Sequence, residues 1–254
     1  MRRLIAFPCA GETLVGTLDE AAGATGLLIV SGGNEVRAGA HRGMAMLARR
    51  LAARDVPVFR YDRRGIGDSG GENSGYAGAR DDLLAAVAAF RVAAPHVARI
   101  VGFGNCDGAT TLALWAHEAG VNALVLANPW VVETTDAFPP PAAIRAHYSV
   151  QLRDPAAWWR LLRGGVSLGK LVHGLARIGR RGTSGDLAAR VLDAIGDATI
   201  VLARGDNTAI AFADAARGRN AARTITIDTA SHSFARPGDA AALEAAIMTA
   251  LAVR

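Results

Sequence analysis

The chain has 254 residues, 51% of them hydrophobic, and its formal net charge is +5. This length and hydrophobic content suit a single large domain with a core that is covered on both faces. Two cysteines are too few for a disulfide framework, and no apolar stretch approaches the length of a membrane span.

Strand-like and helix-like runs alternate along the chain, which predicts an α/β fold with a mostly parallel sheet flanked by helices. Cys9 lies in the expected first strand and is interpreted as a packing residue. The further predicted strands are Gly26 to Val30, Val56 to Tyr61, Ile100 to Phe103, Ala198 to Ala203 and Thr224 to Ile227. The predicted helices are His41 to Asp55, Asp81 to Ala94, Ala109 to Ala119 and Asp239 to Val253.

The segment Val101 to Gly108 predicts a sharp turn between a strand and a helix, with Cys106 on the turn. Gly104 and Gly108 flank it, and positions with almost no side chain let strand and helix approach closely. Cys106 could instead be a small buried apolar residue. Its place between two glycines on a sharp turn favours a nucleophile.

Two possible partners follow Cys106 in the order nucleophile, acid, histidine, which is the order in α/β-hydrolases. Asp206 follows the strand that ends at 203, and His232 follows the strand that ends at 227. A thiol needs a base to take its proton, and the base needs a carboxylate to fix its tautomer. Asp214 and Asp228 are alternative acids.

The loop after the strand that ends at 30 is expected to help bind a substrate oxygen. Its small residues would let the backbone N–H of Gly33 or Asn34 approach a substrate carbonyl, together with the N–H of Asp107. A plain glycine turn is the alternative. The later glycine-rich loop, 62–70, lacks the Lys-Ser/Thr ending of a phosphate-binding loop and is predicted to be structural.

The segment Arg145 to Arg190 has nine basic residues and two aspartates, a net charge of +7 that leaves −2 for the rest of the chain. The segment interrupts the strand–helix alternation, which predicts a helical cap over the site at about 131–190. The whole chain, 1–254, is predicted to form a single domain. Trp130, Trp158 and Trp159 are candidate substrate-binding residues. The charge could favour an anionic substrate or could be a solvated face.

Other classes of function have little support in the sequence. The basic balance comes almost entirely from arginine, which by itself does not indicate nucleic-acid binding. The six histidines are scattered, so no metal site and no cofactor are predicted. The run from Met1 reaches Pro8 too soon for a signal peptide, so we expect a cytoplasmic location, whose reducing conditions suit a free thiol.

Several motifs together resemble one particular group of α/β-hydrolases. The run Phe59 to Ser69 resembles the D-x-R-G-x-G-x-S signature of the superfamily. With it, four segments resemble the exosortase A system-associated hydrolases of type 1: Asn34 to Arg42, Asn105 to Ala109, Asn128 to Trp130 and Gly205 to Ala209. The resemblance implies an α/β-hydrolase fold and a triad of Cys106, Asp206 and His232. The cysteine turn alone is also similar to that of dienelactone hydrolases.

The sequence thus predicts a hydrolase of carboxylic esters or thioesters that works through a covalent acyl-enzyme on Cys106, with a small-molecule acyl substrate. An acyltransferase with the same triad is one alternative. A non-catalytic binding or scaffold protein on a hydrolase fold is another.

Overall fold

The computed structural model describes residues 1–132, 185–219, 223–236 and 238–252. Within them an eight-stranded sheet is flanked by helices on both faces, which confirms the predicted α/β-hydrolase fold. The strands are β1 Arg2–Cys9, β2 Glu12–Asp19, β3 Thr25–Val30, β4 Val58–Tyr61, β5 Arg99–Asn105, β6 Ala123–Ala127, β7 Thr199–Ala203 and β8 Thr224–Ile227. The helices are α1 Gly43–Ala52, α2 Gly75–Gly78, α3 Arg80–Ala93, α4 Asp107–Ala119, α5 Gly185–Ala194, α6 Asn207–Ala215 and α7 Asp239–Ala252.

The strand order is β1-β2-β4-β3-β5-β6-β7-β8. Strands β3 to β8 pair in parallel, whereas β2 runs antiparallel to both β1 and β4. The hairpin of β1 and β2 turns at Ala10 and Gly11, both with positive φ, as a tight primed turn requires. All parallel strands end at the same edge, so the loops that follow β3, β5, β7 and β8 come together there.

Two apolar layers cover the sheet. On one face, α1 buries Met44, Leu47 and Leu51, which recur at helical spacing, and α7 packs beside it. On the other face, α3 and α4 pack against the sheet, where Phe90 stacks on Phe59 of β4 with ring centroids 5.5 Å apart. This core fixes the strand ends that carry the candidate site.

The described part of the predicted cap is short. Residues 133–184 lie outside the described residues, and with them most of the arginines of the basic segment. Arg190 lies in α5 and is exposed. Leu187 and Val191 of the same helix are buried in the core beside α4. The cap itself stays a prediction.

The turn between β5 and α4 depends on two glycines that have no room for a side chain. A Cβ on Gly108 would lie 2.4 Å from the carbonyl oxygen of Val30, at the end of β3. A Cβ on Gly104 would lie 2.6 Å from the backbone of Gly108. Helix α4 therefore approaches β3 and β5 as closely as backbone atoms permit.

We predict that Gly108→Ala lowers the free energy of unfolding by about 2 kcal/mol or more, because β3 and α4 must separate. Gly43→Ala is the matched control. Gly43 has φ −56° and open space around its Cα, so alanine there should stabilise α1 by about 0.5 to 1 kcal/mol. Urea denaturation measures both. Equal stability of the two variants would show that the approach of α4 is not tight.

Candidate active site

Cys106 lies between β5 and α4 in a strained backbone conformation, with φ 58° and ψ −127°. Positive φ is unfavourable for a residue with a side chain and is found where surrounding structure enforces it. Two backbone hydrogen bonds hold this residue in place. Its N–H donates to the carbonyl of Ala127 (3.0 Å), and its carbonyl accepts from the N–H of Trp130 (3.2 Å). The thiol is partly exposed at the carboxyl edge of the sheet.

The structure brings Asp206 and His232 together. Asp206 caps α6, and its Oδ1 accepts from the N–H groups of Thr208 and Ala209, both at 3.0 Å. Its Oδ2 accepts from Nδ1 of His232 at 2.9 Å. Burial opposes ionisation of Asp206, but the hydrogen bond and the charge of His232, with the two N–H groups, lower its pKa overall.

The other two carboxylates that the sequence offered have different partners. Asp228 is largely exposed and faces Arg204, 3.7 Å away. Asp214 lies on α6 and pairs with Arg217 at 2.9 Å. Asp206 is the carboxylate that is hydrogen-bonded to the His232 imidazole.

His232 lies between a carboxylate and a thiol. Its hydrogen bond to Asp206 raises the pKa of His232, and interaction with the nearby Cys106 side chain raises that pKa further. Burial lowers the same pKa, but the net effect is a rise from 6.5 to about 10. The His232 imidazole is thus hydrogen-bonded to the Asp206 carboxylate and interacts with the nearby Cys106 side chain.

Two asparagines hold the loop that carries His232. The side-chain amides of Asn105 and Asn128 donate to the carbonyl of His232 at 3.1 and 3.2 Å. The Asn128 amide also donates to the Asn105 side chain, and its oxygen accepts from the N–H of Ala203. Sequence reasoning assigned neither residue this role. Asn105 directly precedes Cys106, and Asn128 directly follows β6. Their positions at strand ends were the feature of the sequence that could have indicated this role.

The loop predicted to supply an oxyanion donor lies against the start of α4. The N–H of Gly33 donates to Oδ1 of Asp107 at 2.5 Å. Arg63 donates to the carbonyl of Gly33 and, from both terminal nitrogens at 3.3 Å, to Oδ2 of Asp107. The side chain of Asn34 is exposed and accepts from Asn73 at 2.9 Å.

The glycine-rich loop after β4 supports this arrangement, in line with its predicted structural role. Asp62 is fully buried, and its carboxylate accepts from the Arg37 N–H (2.6 Å), the Arg37 guanidinium and the Asp68 N–H (3.1 Å). Because Arg37 belongs to the loop after β3, Asp62 ties the two loops together. Ser69 closes the turn by donating to the carbonyl of Asp62 at 2.8 Å.

Glu35 is a further carboxyl group beside the site. Its side chain accepts from the N–H of Ala40 at 2.6 Å. Burial raises the pKa of Glu35, while the Ala40 hydrogen bond and the charge of His232 lower it in part. No motif in the sequence indicated that Glu35 lies near His232.

Of the three candidate substrate-binding tryptophans, Trp130 is the one among the described residues. Trp130 is partly buried against the core, and its backbone holds both Cys106 and Thr110. Trp158 and Trp159 lie outside the described residues. Across the described ranges, no three His, Cys, Asp or Glu side chains are placed to hold a metal ion. No helix among those residues is long and apolar enough to span a membrane.

Comparison with known proteins agrees with this architecture. Residues 26–166 match the family described as serine aminopeptidase, S33. The chain belongs to this family of α/β-hydrolases. No curated protein matches the chain. This member has Cys106 on the turn between β5 and α4, although the family description names a serine enzyme.

Solved structures of low sequence identity share the fold of this S33-family chain. The esterase Pf2001 of Pyrococcus furiosus has a TM-score of 0.63 at 14% identity, covering 99% of this chain and 89% of its own. The α/β-hydrolase GrgF of Penicillium sp. sh18 has 0.65 at 18%, covering 99% and 98%. A thioesterase domain from the curacin biosynthetic pathway has 0.61 at 14%, covering 98% and 99%.

The raised pKa of His232 predicts how stability depends on pH. Because the folded value, about 10, exceeds the ordinary 6.5, its contribution to stability is fully present below pH 6.5 and is lost as pH rises towards 10. The side chain is 41% exposed, so solvent screening should limit the effect to about 1 kcal/mol.

Thermal unfolding of the protein and of His232→Gln should therefore give stability curves that converge between pH 6.5 and 10. Subtracting the curve of the variant removes the other groups that titrate in this range. A constant difference across this range would contradict a raised pKa for His232.

Proposed function

We propose that this S33-family member is a cysteine hydrolase of carboxylic esters or thioesters that works through an acyl-enzyme on Cys106. The observation that carries the proposal is the hydrogen bond from His232 to Asp206, together with a Cys106 side chain near enough to His232 to raise the pKa of the imidazole. It gives a thiol both a base and an orienting carboxylate, which are the requirements of covalent acyl transfer.

In the proposed first step, the proton of Cys106 lies on His232, whose raised pKa favours the imidazolium, and the Sγ thiolate attacks the substrate carbonyl carbon. Asp206 already holds Nδ1, so the imidazole meets the thiol through its other nitrogen. The carbonyl π electrons move to oxygen, where the N–H groups of Asp107 and of Gly33 or Asn34 stabilise the oxyanion. The intermediate collapses, and His232 protonates the departing alkoxide or thiolate.

Water completes the proposed cycle. His232 takes a proton from water as its oxygen attacks the thioester carbon of the acyl-enzyme. Collapse of the second tetrahedral intermediate releases the carboxylic acid and leaves the Cys106 thiolate beside protonated His232, as at the start of the cycle. Atoms and charge balance without a metal or a redox cofactor, so only a carbonyl substrate and water are needed.

The structural neighbours support an acyl ester or thioester as the substrate class. One is described as an esterase and another as a thioesterase domain. We propose Trp130 as a wall of the acyl site because it lies beside Cys106. Trp158 and Trp159 are proposed on sequence grounds alone, as is the preference of the basic segment for anionic substrates.

Two finer assignments belong to the same proposal. The motifs from Asn34 to Ala209 support membership of the exosortase A system-associated hydrolases of type 1. A working thiol at Cys106 supports a reducing compartment, and we propose the cytoplasm.

An acyltransferase is the second candidate function, and the Cys106 thiol favours it. A thioester acyl-enzyme reacts readily with amines as well as with water, so the same triad serves both reactions. Product analysis in the presence of a primary amine separates them, since amide formed ahead of acid indicates transfer.

We predict that Cys106→Ala lowers kcat/KM towards activated esters at least about 10³-fold while leaving the fold intact. Cys9→Ala is the matched control. Cys9 is buried with its sulfur 3.4 Å from Asp82, where burial and that carboxylate raise the pKa of its thiol to about 11, so its removal should change kcat/KM less than about twofold. Initial-rate kinetics with circular dichroism as the fold check measures both. Full activity in Cys106→Ala would refute the proposal.

A further inference from the structure

The Gly33 N–H, one of the two backbone groups expected to stabilise an oxyanion, already has an anionic acceptor. It donates a hydrogen bond to Oδ1 of Asp107 at 2.5 Å. Asp107 also supplies the other expected donor through its own N–H. A carboxylate oxygen from the residue that follows Cys106 therefore lies where the oxygen of a reacting carbonyl would need to bind.

Arg63 keeps the carboxylate in this position. The Arg63 side chain is only 2% exposed, and both of its terminal nitrogens lie 3.3 Å from Oδ2 of Asp107. The same guanidinium donates to the carbonyl of Gly33, so it holds both partners of the Gly33 contact. A buried arginine without an anion would be costly, which makes the position of Asp107 favourable in the empty enzyme.

We infer that the Asp107 carboxylate is an internal occupant of the oxyanion hole, retained by Arg63, which a substrate carbonyl must displace from the Gly33 N–H. The inference rests on the proposed function, since it needs an acyl substrate at Cys106. Asp107 and Arg63 are then positioning residues that set how readily the site accepts a carbonyl.

Displacement is physically feasible and electrostatically required. The Asp107 side chain is 15% exposed, so it borders open space into which it can turn while keeping its contact with Arg63. If the carboxylate stayed in place, an oxyanion forming beside it would meet a like charge and would lose one of its two donors. Weakening the contact should therefore speed acylation.

The test uses the full-length protein with Asp107→Asn and Asp107→Ala. Asparagine has one oxygen to share between Arg63 and Gly33 and carries no charge, so it weakens the contact with little change in shape. Alanine removes the contact. Asp81→Ala is the matched control, because Asp81 is also a carboxylate in the first turn of a helix, but it is exposed and pairs with Arg80.

We expect Asp107→Asn to raise the rate constant for acylation of Cys106 by about tenfold, the effect of removing a competing hydrogen bond to a charged group. KM should change less than kcat. The Gly33 amide proton should move upfield in the NMR spectrum of both Asp107 variants and stay in place in Asp81→Ala. If Asp107→Ala does not fold, Asp107→Asn carries both readouts.

The outcomes separate this inference from the proposed function. Suppose that Cys106 of the wild type is acylated. If the Gly33 amide resonance then does not move in the Asp107 variants, or if Asp107→Asn is acylated more slowly than the wild type, the inference alone is overturned. Asp107 would then only support the loop. No acylation of Cys106 in the wild type or in any variant overturns the proposed function, and the inference with it.

Discussion

The close approach of β3, β5 and α4 is the constraint on which the rest of the structure depends. With no side chain at Gly104 or Gly108, helix α4 begins directly against two strand ends, and the residue between β5 and α4 must take a backbone conformation that side chains disfavour. That conformation presents the Cys106 thiol at the carboxyl edge of the sheet. A larger residue at either glycine would separate strand from helix and withdraw the thiol from His232.

Polar contacts then hold the surrounding loops in place around this turn. Asn105 and Asn128 fix the backbone of the loop after β8, and Asp206 fixes its imidazole. Asp62 fixes the loop after β3 through Arg37. Each group lies at a strand end of the same sheet, so the spacing of the parallel strands sets the distances between loops. Asp206 and His232, which are far apart in the sequence, are thereby held at hydrogen-bonding distance.

The apolar periodicity of the sequence, which is strong in α1 and α3, allowed most of the parallel strands and major helices to be predicted, although the parallel strand β6 was not among them. It did not predict β2, where Gly16 interrupts the pattern because Phe59 fills the space above it. It also did not identify α6, whose first turn begins at Asp206 itself. For the site, Cys106, Asp206 and His232 could be predicted because each follows a predicted strand. The contacts of Glu35, Asn128 and Arg63 could not be predicted, because they depend on which loops meet across the sheet.

The central claim is that a covalent acyl group forms on Cys106. Intact-mass spectrometry of acid-quenched protein, taken soon after mixing with an activated ester, tests it directly, and peptide mapping locates the adduct. The account predicts a single added acyl mass on the peptide that contains Cys106, lost again as hydrolysis proceeds. An adduct on Cys9, an adduct on a serine or lysine, or turnover with no adduct under rapid quenching would contradict it.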